Sequence, residues 1–465
     1  MKLFTLTTLA LAVGLCHAPH AGAADAAAPN IILILTDDQG WNSLSIPADP
    51  DIPGSGSTYY QTPNTTKLAE DGIRFSMAYS AAPTCGPSRH SIQYGQSPTT
   101  MGKFAEANPI HLPAATDALA SRLKAACPEY RAAHFGKWHQ VRKPADVGYD
   151  ADDGPNGNLK VSPDPRDPKF TFSLEKKANA YIEKQTQAGH PFFMQVSFYA
   201  DHLNYEALPE TVKKYEGMAD QAMQYQKSPL WAAMNEDMDT AVGSILGKLD
   251  ELGIADNTYV IYTADNGYEC KKDLGKPVAK RSFYKGYPLV SHKYMISEGG
   301  LRVPFLVRGP GIPAGAFSRE PVVGWDIFPT VLDMAGAAGQ VPEGVEGESL
   351  LPLCKSGGKG KVERNDPFMV FRYAKRHGAL DVAIVQDGYK LLREIKTGQE
   401  HLWSLWDDLG EQNNLLEKMP ERAGQMRQNM DAYFARRQWD QREHVNHVKR
   451  KGKNQQLKKM VPGGE

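Results

Sequence analysis

The stretch NIILILT, Asn30–Thr36, is a continuous apolar run made almost entirely of isoleucine and leucine. Such a run is typical of a β-strand that is buried on both faces of a parallel sheet. A second run, TYVIYTA at Thr258–Ala264, has the same character. Between residues 229 and 253 apolar side chains recur at helical spacing, which predicts an amphipathic helix packed on that sheet. The fold class indicated is therefore α/β.

Both predicted strands end in short oxygen-rich segments. Asp37 and Asp38 follow the first strand directly, and Asp265 and Asn266 follow the second. Because ligands of open α/β sheets bind at the carboxyl ends of the strands, we expect the four side chains to meet there. An isolated Asp-Asp pair more often caps a turn and faces solvent. Its recurrence at a second strand end favours a site for a hard cation such as Ca²⁺ or Mg²⁺, which prefers oxygen ligands.

A third segment, TCGPSRHSIQYG at Thr84–Gly95, predicts a loop that turns into a helix. Pro87 suits the first helical turn because it has no amide hydrogen to leave unsatisfied. Cys85 would then lie near free backbone N–H groups and the positive end of the helix dipole, where an anion is favoured. Arg89 falls four residues later on the same helical face. The alternative interpretation is a buried structural cysteine.

Two predicted strands lead to basic candidates for the same site. Lys137 and His139 follow a strand that begins at Tyr130, and if they are still extended their side chains point to one side. His202 lies just beyond the predicted strand Pro191–Phe198. Lysine supplies fixed positive charge for an oxyanion, and histidine exchanges a proton near neutral pH. We therefore expect these residues to join the acidic side chains at the sheet edge.

The pattern Cys-x-Pro-Ser-Arg at Cys85–Arg89 resembles the modification motif of the formylglycine-dependent type I sulfatases, a family of the alkaline phosphatase superfamily. Other segments resemble that family in its own order along the chain, namely Thr62–Asn64, Gly136–His139, Asp265–Asn266 and Glu298–Pro304. Two segments depart from it. Gln93–Gly95 stands where the family usually has Leu-Thr-Gly, and Asp201–Asn204 stands where it usually has Pro-His-x-Pro. The resemblance runs from Asn30 to Leu415.

The resemblance implies a catalytic set and a metal site. A separate formylglycine-generating or anaerobic sulfatase-maturating enzyme would oxidise the cysteine to formylglycine (3-oxoalanine), whose hydrate attacks sulfur. The histidines would move protons, with His202 protonating the leaving alcohol and His139 receiving a proton from the second hydroxyl. The implied catalytic residues are Cys85, Arg89, Lys137, His139, His202 and Lys293. The implied ligands of one calcium ion per chain are Asp37, Asp38, Cys85, Asp265 and Asn266.

The resemblance also implies the architecture. We expect an alkaline phosphatase-like fold, with a large mixed, mostly parallel β-sheet flanked by helices and a smaller C-terminal α+β subdomain. The expected boundaries are 24–355 for the catalytic domain, 356–440 for the subdomain and 441–465 for a basic, disordered tail. At the N-terminus, Lys2, an apolar run and the small residues at 21–23 predict a signal peptide over residues 1–23. Export to a periplasm or outside the cell follows from that prediction.

Composition narrows the functional classes. The 465 residues carry a net charge of −1, which does not favour a nucleic-acid partner. If Cys85 is used for chemistry, then Cys127, Cys270 and Cys354 can form at most one bridge, and the sequence does not choose which. The resemblance, together with the predicted export, implies sulfated polysaccharides or oligosaccharides as the substrates. A phosphonate or phosphodiester hydrolase and a non-catalytic binder of sulfated glycans are the alternatives, whereas the all-oxygen ligand set disfavours a two-zinc phosphatase.

Overall fold

A computed structural model describes residues 27–102, 111–158, 161–222, 225–270, 280–281, 284–374 and 380–437. The predicted signal peptide and basic tail lie outside the described residues. In the described part of the chain, no helix combines the length and apolar character needed to cross a bilayer.

The strands belong to a large sheet, a small two-stranded pair and a C-terminal sheet. In chain order they are β1 (Asn30–Thr36), β2 (Ile73–Phe75), β3 (Ala78–Tyr79), β4 (Arg131–Gly136), β5 (Ala151–Asp152), β6 (Phe192–Ser197), β7 (Thr258–Ala264), β8 (Phe305–Arg308), β9 (Ala316–Ser318), β10 (Val322–Val323), β11 (Met369–Ala374), β12 (Leu380–Gln386), β13 (Tyr389–Glu394) and β14 (Glu400–Ser404). The large sheet has the spatial order β5-β4-β6-β1-β7-β8-β2-β9. The five strands β5, β4, β6, β1 and β7 are parallel to one another, and β8 is antiparallel to both of its neighbours, β7 and β2.

The helices flank this sheet and close the C-terminal part. They are α1 (Pro63–Glu70), α2 (Cys85–Tyr94), α3 (Leu119–Ala126), α4 (Thr171–Ala188), α5 (Pro209–Glu216), α6 (Pro229–Glu251), α7 (Glu298–Leu301), α8 (Ile327–Met334), α9 (Leu351–Lys355) and α10 (Pro420–Arg436). The predicted strands at β1, β6 and β7 and the predicted helix at α6 are confirmed. The α/β class with a mixed, mostly parallel sheet is confirmed as well.

Strand β1 lies at the centre of the sheet, between β6 and β7, and every one of its residues is buried. Its side chains alternate between two cores. Ile31 and Leu33 pack with α3 and α8 on one face, whereas Ile32 and Ile34 pack with α4 and α6 on the other. A strand with apolar surroundings on both faces needs a continuous apolar sequence, and this explains why the segment does not alternate.

The C-terminal part is an antiparallel sheet in the order β11-β12-β13-β14, with α10 packed on it. A buried ion network joins this sheet to the larger one. Nζ of Lys390 on β13 lies 3.2 Å from Glu298 and 2.9 Å from Glu411, and Glu298 also pairs with Arg302. The segment that follows Lys293 is thus anchored to the smaller sheet.

Candidate active site

The candidate site lies at the carboxyl ends of four neighbouring strands, β4, β6, β1 and β7. Asp37 and Asp38 follow β1, and Asp265 follows β7. Lys137 comes directly after β4, and the loop that carries His202 comes after β6. Because these strands are parallel and adjacent, their ends present side chains to one crevice.

The acidic residues and the cysteine converge to a single point. One ligand atom from each of Asp37, Asp38, Asp265 and Cys85 lies within 4.8 Å of the others. Asn266 joins them, since its Nδ2 donates to Oδ1 of Asp38 at 2.7 Å. Its amide oxygen is buried, and no described residue donates a hydrogen bond to it. Three carboxylates and an amide oxygen available for ligation fit a hard divalent cation.

Three buried cations face the three carboxylates. Nζ of Lys137 lies 2.5 Å from Asp37, Nζ of Lys293 lies 2.6 Å from Asp38, and Nε of Arg89 lies 2.8 Å from Asp265. All six side chains are at most 3% exposed. Because each charge lies beside an opposite charge, attraction within these pairs offsets the free-energy cost of removing the cluster from water.

The pairing shifts the pKa values of the site in opposite directions. Burial alone would raise the pKa of Asp37, but Lys137 and the other nearby cations hold it well below the usual aspartate value. Burial dominates at Asp265 and raises its pKa to about 6 despite the contact with Arg89. Burial would lower the pKa of Lys293, yet Asp38 raises it well above the usual lysine value.

Cys85 is the first residue of α2 and is 2% exposed. Its Sγ lies 3.4 Å from Oδ1 of Asp37 and 3.5 Å from Nζ of Lys137. Burial, together with the charge of Asp265, raises the pKa of this thiol well above its usual value. The expected preference for an anion at this helix terminus is therefore outweighed by burial, and the thiol itself is neutral at physiological pH.

Polar contacts hold helix α2 in place, and one of them is made by Gln93, where the sequence departs from the family motif. Arg89 donates from Nη1 to the backbone carbonyl of Lys137 at 2.5 Å. Nε2 of Gln93 donates to the side-chain oxygen of Gln195 on β6 at 2.8 Å and to the hydroxyl of Tyr149 at 3.0 Å. The helix ends at Gly95 with φ of +62°, a conformation suited to glycine. Gln93 thus ties the helix to the sheet below the site.

His139 lies beyond the end of β4, which stops at Gly136. The condition under which the side chains of Lys137 and His139 would point to one side is not met, because His139 has a φ of +53° and a non-extended backbone. Its amide donates to the carbonyl of Asn156 at 2.8 Å. Burial, with Lys137 and Arg89 nearby, lowers the pKa of His139 to about 3, so the imidazole is neutral.

His202 reaches the opposite side of the carboxylates from a loop after β6. Its Nε2 lies 3.9 Å from Asp38 and 3.9 Å from Glu269. Burial lowers the pKa of His202, and the nearby carboxylates Asp37 and Asp38 oppose that shift. Nζ of Lys169 donates to the carbonyls of Leu203 and Asn204, at 3.1 and 3.2 Å, and so ties down the loop just after His202.

Sequence reasoning did not identify Glu269 or Lys169 as members of this site. Oε2 of Glu269 lies 3.8 Å from Nζ of Lys293, so this carboxylate touches both basic groups at this end of the site. Its place three residues after Asn266 was a usable signal. Lys169 carried none, because it contacts the loop from a segment more than thirty residues earlier in the chain.

Comparisons with known proteins agree with this geometry. The family profile described as Sulfatase matches residues 29–337, and the profile described as N-sulphoglucosamine sulphohydrolase, C-terminal, matches residues 289–438. An ulvan-active sulfatase of Formosa agariphila is 27% identical over 70% of this chain, and an N-acetylgalactosamine-6-sulfatase of Sus scrofa is 28% identical over 71%. The aligned parts span 65% and 66% of those two proteins.

Solved structures share the fold. The structure of Ps i-CgsB in complex with k-i-k-neocarrahexaose superposes with a TM-score of 0.72 at 23% identity, covering 87% of this chain and 92% of that one. The structure of BT4656 in complex with D-glucosamine-2-N,6-O-disulfate superposes with a TM-score of 0.66 at 19% identity, covering 88% and 98%.

Proposed function

The chain belongs to the sulfatase family, and from that premise we propose that it hydrolyses sulfate esters of carbohydrates by means of a formylglycine made from Cys85. The observation that carries the proposal is the convergence of Cys85 with Asp37, Asp38 and Asp265 within 4.8 Å. A structural cysteine would not need three carboxylates and two lysines around it. A neutral thiol in this pocket is a poor nucleophile, so an unmodified cysteine would not be expected to attack a sulfate ester.

The hydrated aldehyde of formylglycine supplies a nucleophile with two hydroxyl groups. The chain's own residues surround it with fixed charge. Lys137 and Lys293 bind the sulfate oxygens and stabilise negative charge on them, and Arg89 orients the residue at position 85 through its contact with Asp265. His202 protonates the departing alcohol, and His139 accepts a proton from the second hydroxyl of the hydrate.

We propose Ca²⁺ as the resident cation. The ligands would be Asp37, Asp38, Asp265, Asn266 and the modified side chain at position 85. The buried amide oxygen of Asn266 and the all-oxygen set support calcium over softer metals such as zinc. Bound there, the ion would polarise a sulfate oxygen as a Lewis acid.

The substrate class proposed is a sulfated polysaccharide or oligosaccharide. Relatives named as an ulvan-active sulfatase and as an N-acetylgalactosamine-6-sulfatase support a carbohydrate substrate. We further propose that the protein is exported, which the composition of residues 1–23 supports. Export would give it access to glycans too large to enter the cytoplasm.

The test uses protein matured in a host that contains a formylglycine-generating enzyme. Mass spectrometry of the peptide that contains residue 85 should show the aldehyde, and 4-nitrophenyl sulfate should be hydrolysed faster than a matched aryl phosphodiester. Cys85→Ala should reduce sulfate release to background while the melting temperature stays within a few degrees. Cys127→Ala is the matched control, and it should retain activity.

Three results would contradict the proposal. Full activity in Cys85→Ala would exclude the nucleophile. Faster phosphodiester hydrolysis by the matured protein would favour a hydrolase of phosphate or phosphonate esters. Tight binding of sulfated glycans without turnover, together with an unmodified Cys85, would favour a binding protein.

A further inference from the structure

A cavity of about 440 Å³ lies beside the candidate active site. The residues that matter for its chemistry are Tyr225, Lys227, Tyr268, Glu269, Tyr284 and Lys285. Glu269 belongs to both spaces, because its Oε2 lies 3.8 Å from Nζ of Lys293 and 3.9 Å from Nε2 of His202. A ligand group in the cavity would therefore lie next to a ligand group bound by Lys293 and His202 in the active site. The volume is in the range typical of small-ligand sites.

Three tyrosines supply aromatic walls, and each is supported by another ring. Tyr225 packs on Tyr287 with 5.2 Å between ring centroids. Tyr268 and Tyr284 both contact the ring of His292, at 6.3 and 5.7 Å. His292 is completely buried and supports both tyrosine rings from behind. Flat aromatic faces of this kind match the apolar C–H face of a sugar ring.

Two lysines give the cavity a positive character. Nζ of Lys285 lies 4.0 Å from the centroid of the Trp231 ring and 5.0 Å from that of Tyr205, and these cation–π contacts fix its position. Lys227 lines the cavity from an exposed position. Within the described residues, neither lysine forms an ion pair with a carboxylate. Glu269, the carboxylate that lines the cavity, shares Lys293 with Asp38.

The turn that carries Lys285 is rigid. Asn42 donates from Nδ2 to the carbonyls of Lys285 and Tyr287, at 3.3 and 2.7 Å. Gly286 packs so closely on Tyr268 that a Cβ at this position would lie 2.6 Å from the ring. The lysine and the tyrosines are thus held in place before any ligand arrives, which reduces the entropy cost of binding.

We propose that this cavity is a subsite for a sugar unit that carries a second anionic group, joined to the sugar whose sulfate ester is cleaved. The anionic group is a carboxylate or a sulfate. The tyrosines bind the ring, and Lys285 and Lys227 bind the anion. The inference rests on the proposed function and deepens it, because it selects polyanionic glycans over glycans with a single isolated sulfate.

The experiment measures binding by calorimetry to Cys85→Ala protein, which needs neither maturation nor turnover. Three disaccharides share one sulfated sugar and differ in the second sugar: a uronic acid, its carboxyl-reduced counterpart, and a neutral sugar with its own sulfate. The doubly anionic ligands should bind about 10- to 100-fold more tightly than the reduced one. Whichever of the two binds more tightly identifies the anion that the subsite recognises.

The substitution Lys285→Met is made in the Cys85→Ala protein. It should reduce the preference for the doubly anionic disaccharides to about threefold or less, whereas the exposed Lys418→Met, made in the same protein, should leave that preference unchanged. Tyr284→Leu should weaken all three ligands together, by about tenfold. Circular dichroism and melting temperature identify any variant that fails to fold. Equal affinities for the three disaccharides, or an equal loss for all three in Lys285→Met, would overturn the subsite. Failure of the proposed function has a separate signature, namely no sulfate release by matured wild-type protein.

Discussion

Lys169→Met provides a sharp test of how His202 is positioned. The chain lacks the prolines that usually flank this histidine in the family, and Lys169 holds the loop in another way. Its side chain is 2% exposed, and Nζ donates to the carbonyls of Leu203 and Asn204 at 3.1 and 3.2 Å. Methionine fills the same space without donating a hydrogen bond, so the loop after His202 loses both anchors.

The magnitude follows from these two hydrogen bonds. Each involves a charged donor and would contribute about 1.5–3 kcal/mol if its acceptor were left unsatisfied. Leu203 and Asn204 are partly or fully exposed, so water replaces much of what is lost. We therefore expect a net cost of about 1.5–3 kcal/mol for both bonds together, or about 10- to 100-fold in kcat/KM. Lys176→Met, on the exposed face of the next helix, is the matched control.

The assay compares sulfate esters whose leaving groups differ in basicity. Because His202 is proposed to protonate the leaving group, Lys169→Met should slow an alkyl sulfate more than 4-nitrophenyl sulfate, whose phenolate leaves without much help. The melting temperature should fall by only a few degrees. The reasoning is refuted if both esters slow by the same factor, or if Lys176→Met has the same effect as Lys169→Met.

Three further predictions concern the metal, the pH dependence and the link between the sheets. Asp38→Asn removes a proposed calcium ligand. At a calcium concentration about 100 times the wild-type Kd, calcium should stabilise the folded wild-type protein by about 2.7 kcal/mol and the variant by about 1 kcal/mol or less, measured by thermal melts. Burial raises the pKa of Asp237 to about 6, so the folded protein holds this proton more tightly than the unfolded chain does. The resulting stabilisation is fully present below pH 4 and is lost as the pH rises through 6. Between pH 4 and pH 7 the free energy of unfolding of Asp237→Asn should therefore rise by about 3 kcal/mol relative to that of wild type, measured by denaturant titration. Lys390→Met leaves Glu298 and Glu411 buried together and should destabilise the protein by about 3–5 kcal/mol, measured by urea unfolding.

Each of these predictions has a control and a contradicting result. An unchanged calcium response in Asp38→Asn would mean that the ion binds elsewhere, and Asp51→Asn on the surface is its control. A constant stability difference between Asp237→Asn and wild type across the pH range would show that Asp237 has an ordinary pKa in the folded protein. The exposed Lys396→Met should be nearly silent, and a similar loss in both lysine variants would contradict the buried network.

The parts of the fold that could be predicted are those in which local sequence and burial agree. The continuous apolar character of β1 and β7 indicated central parallel strands, and parallel neighbours bring their carboxyl ends together. Asp37 and Asp265 could therefore be placed side by side from sequence, although more than 200 residues separate them. The resemblance to a family then supplied roles for Cys85 and the basic residues.

The parts that could not be predicted depend on contacts between loops. The sequence could not show whether Lys137 and His139 are still extended; β4 ends at Gly136, and no periodic pattern marks that end. Lys169 donates hydrogen bonds to backbone carbonyls, and because every residue has one, the sequence gives no sign of such a contact. The neutral thiol of Cys85 depends on burial by segments from across the chain, and this outweighs what its place at a helix start suggests locally.

The balance of charge at the site has a consequence for how its ligands cooperate. Four buried carboxylates, those of Asp37, Asp38, Asp265 and Glu269, face the three buried cations Lys137, Lys293 and Arg89, so the protein alone does not attract an anion. A divalent cation that settles among the carboxylates leaves the lysines and the arginine with a surplus of positive charge, and an anion can then bind beside it. Thermodynamic reciprocity requires that the anion tighten the hold on the cation by the same factor. Occupancy by the metal should therefore rise with the local supply of sulfated glycan, even when the free metal concentration stays constant.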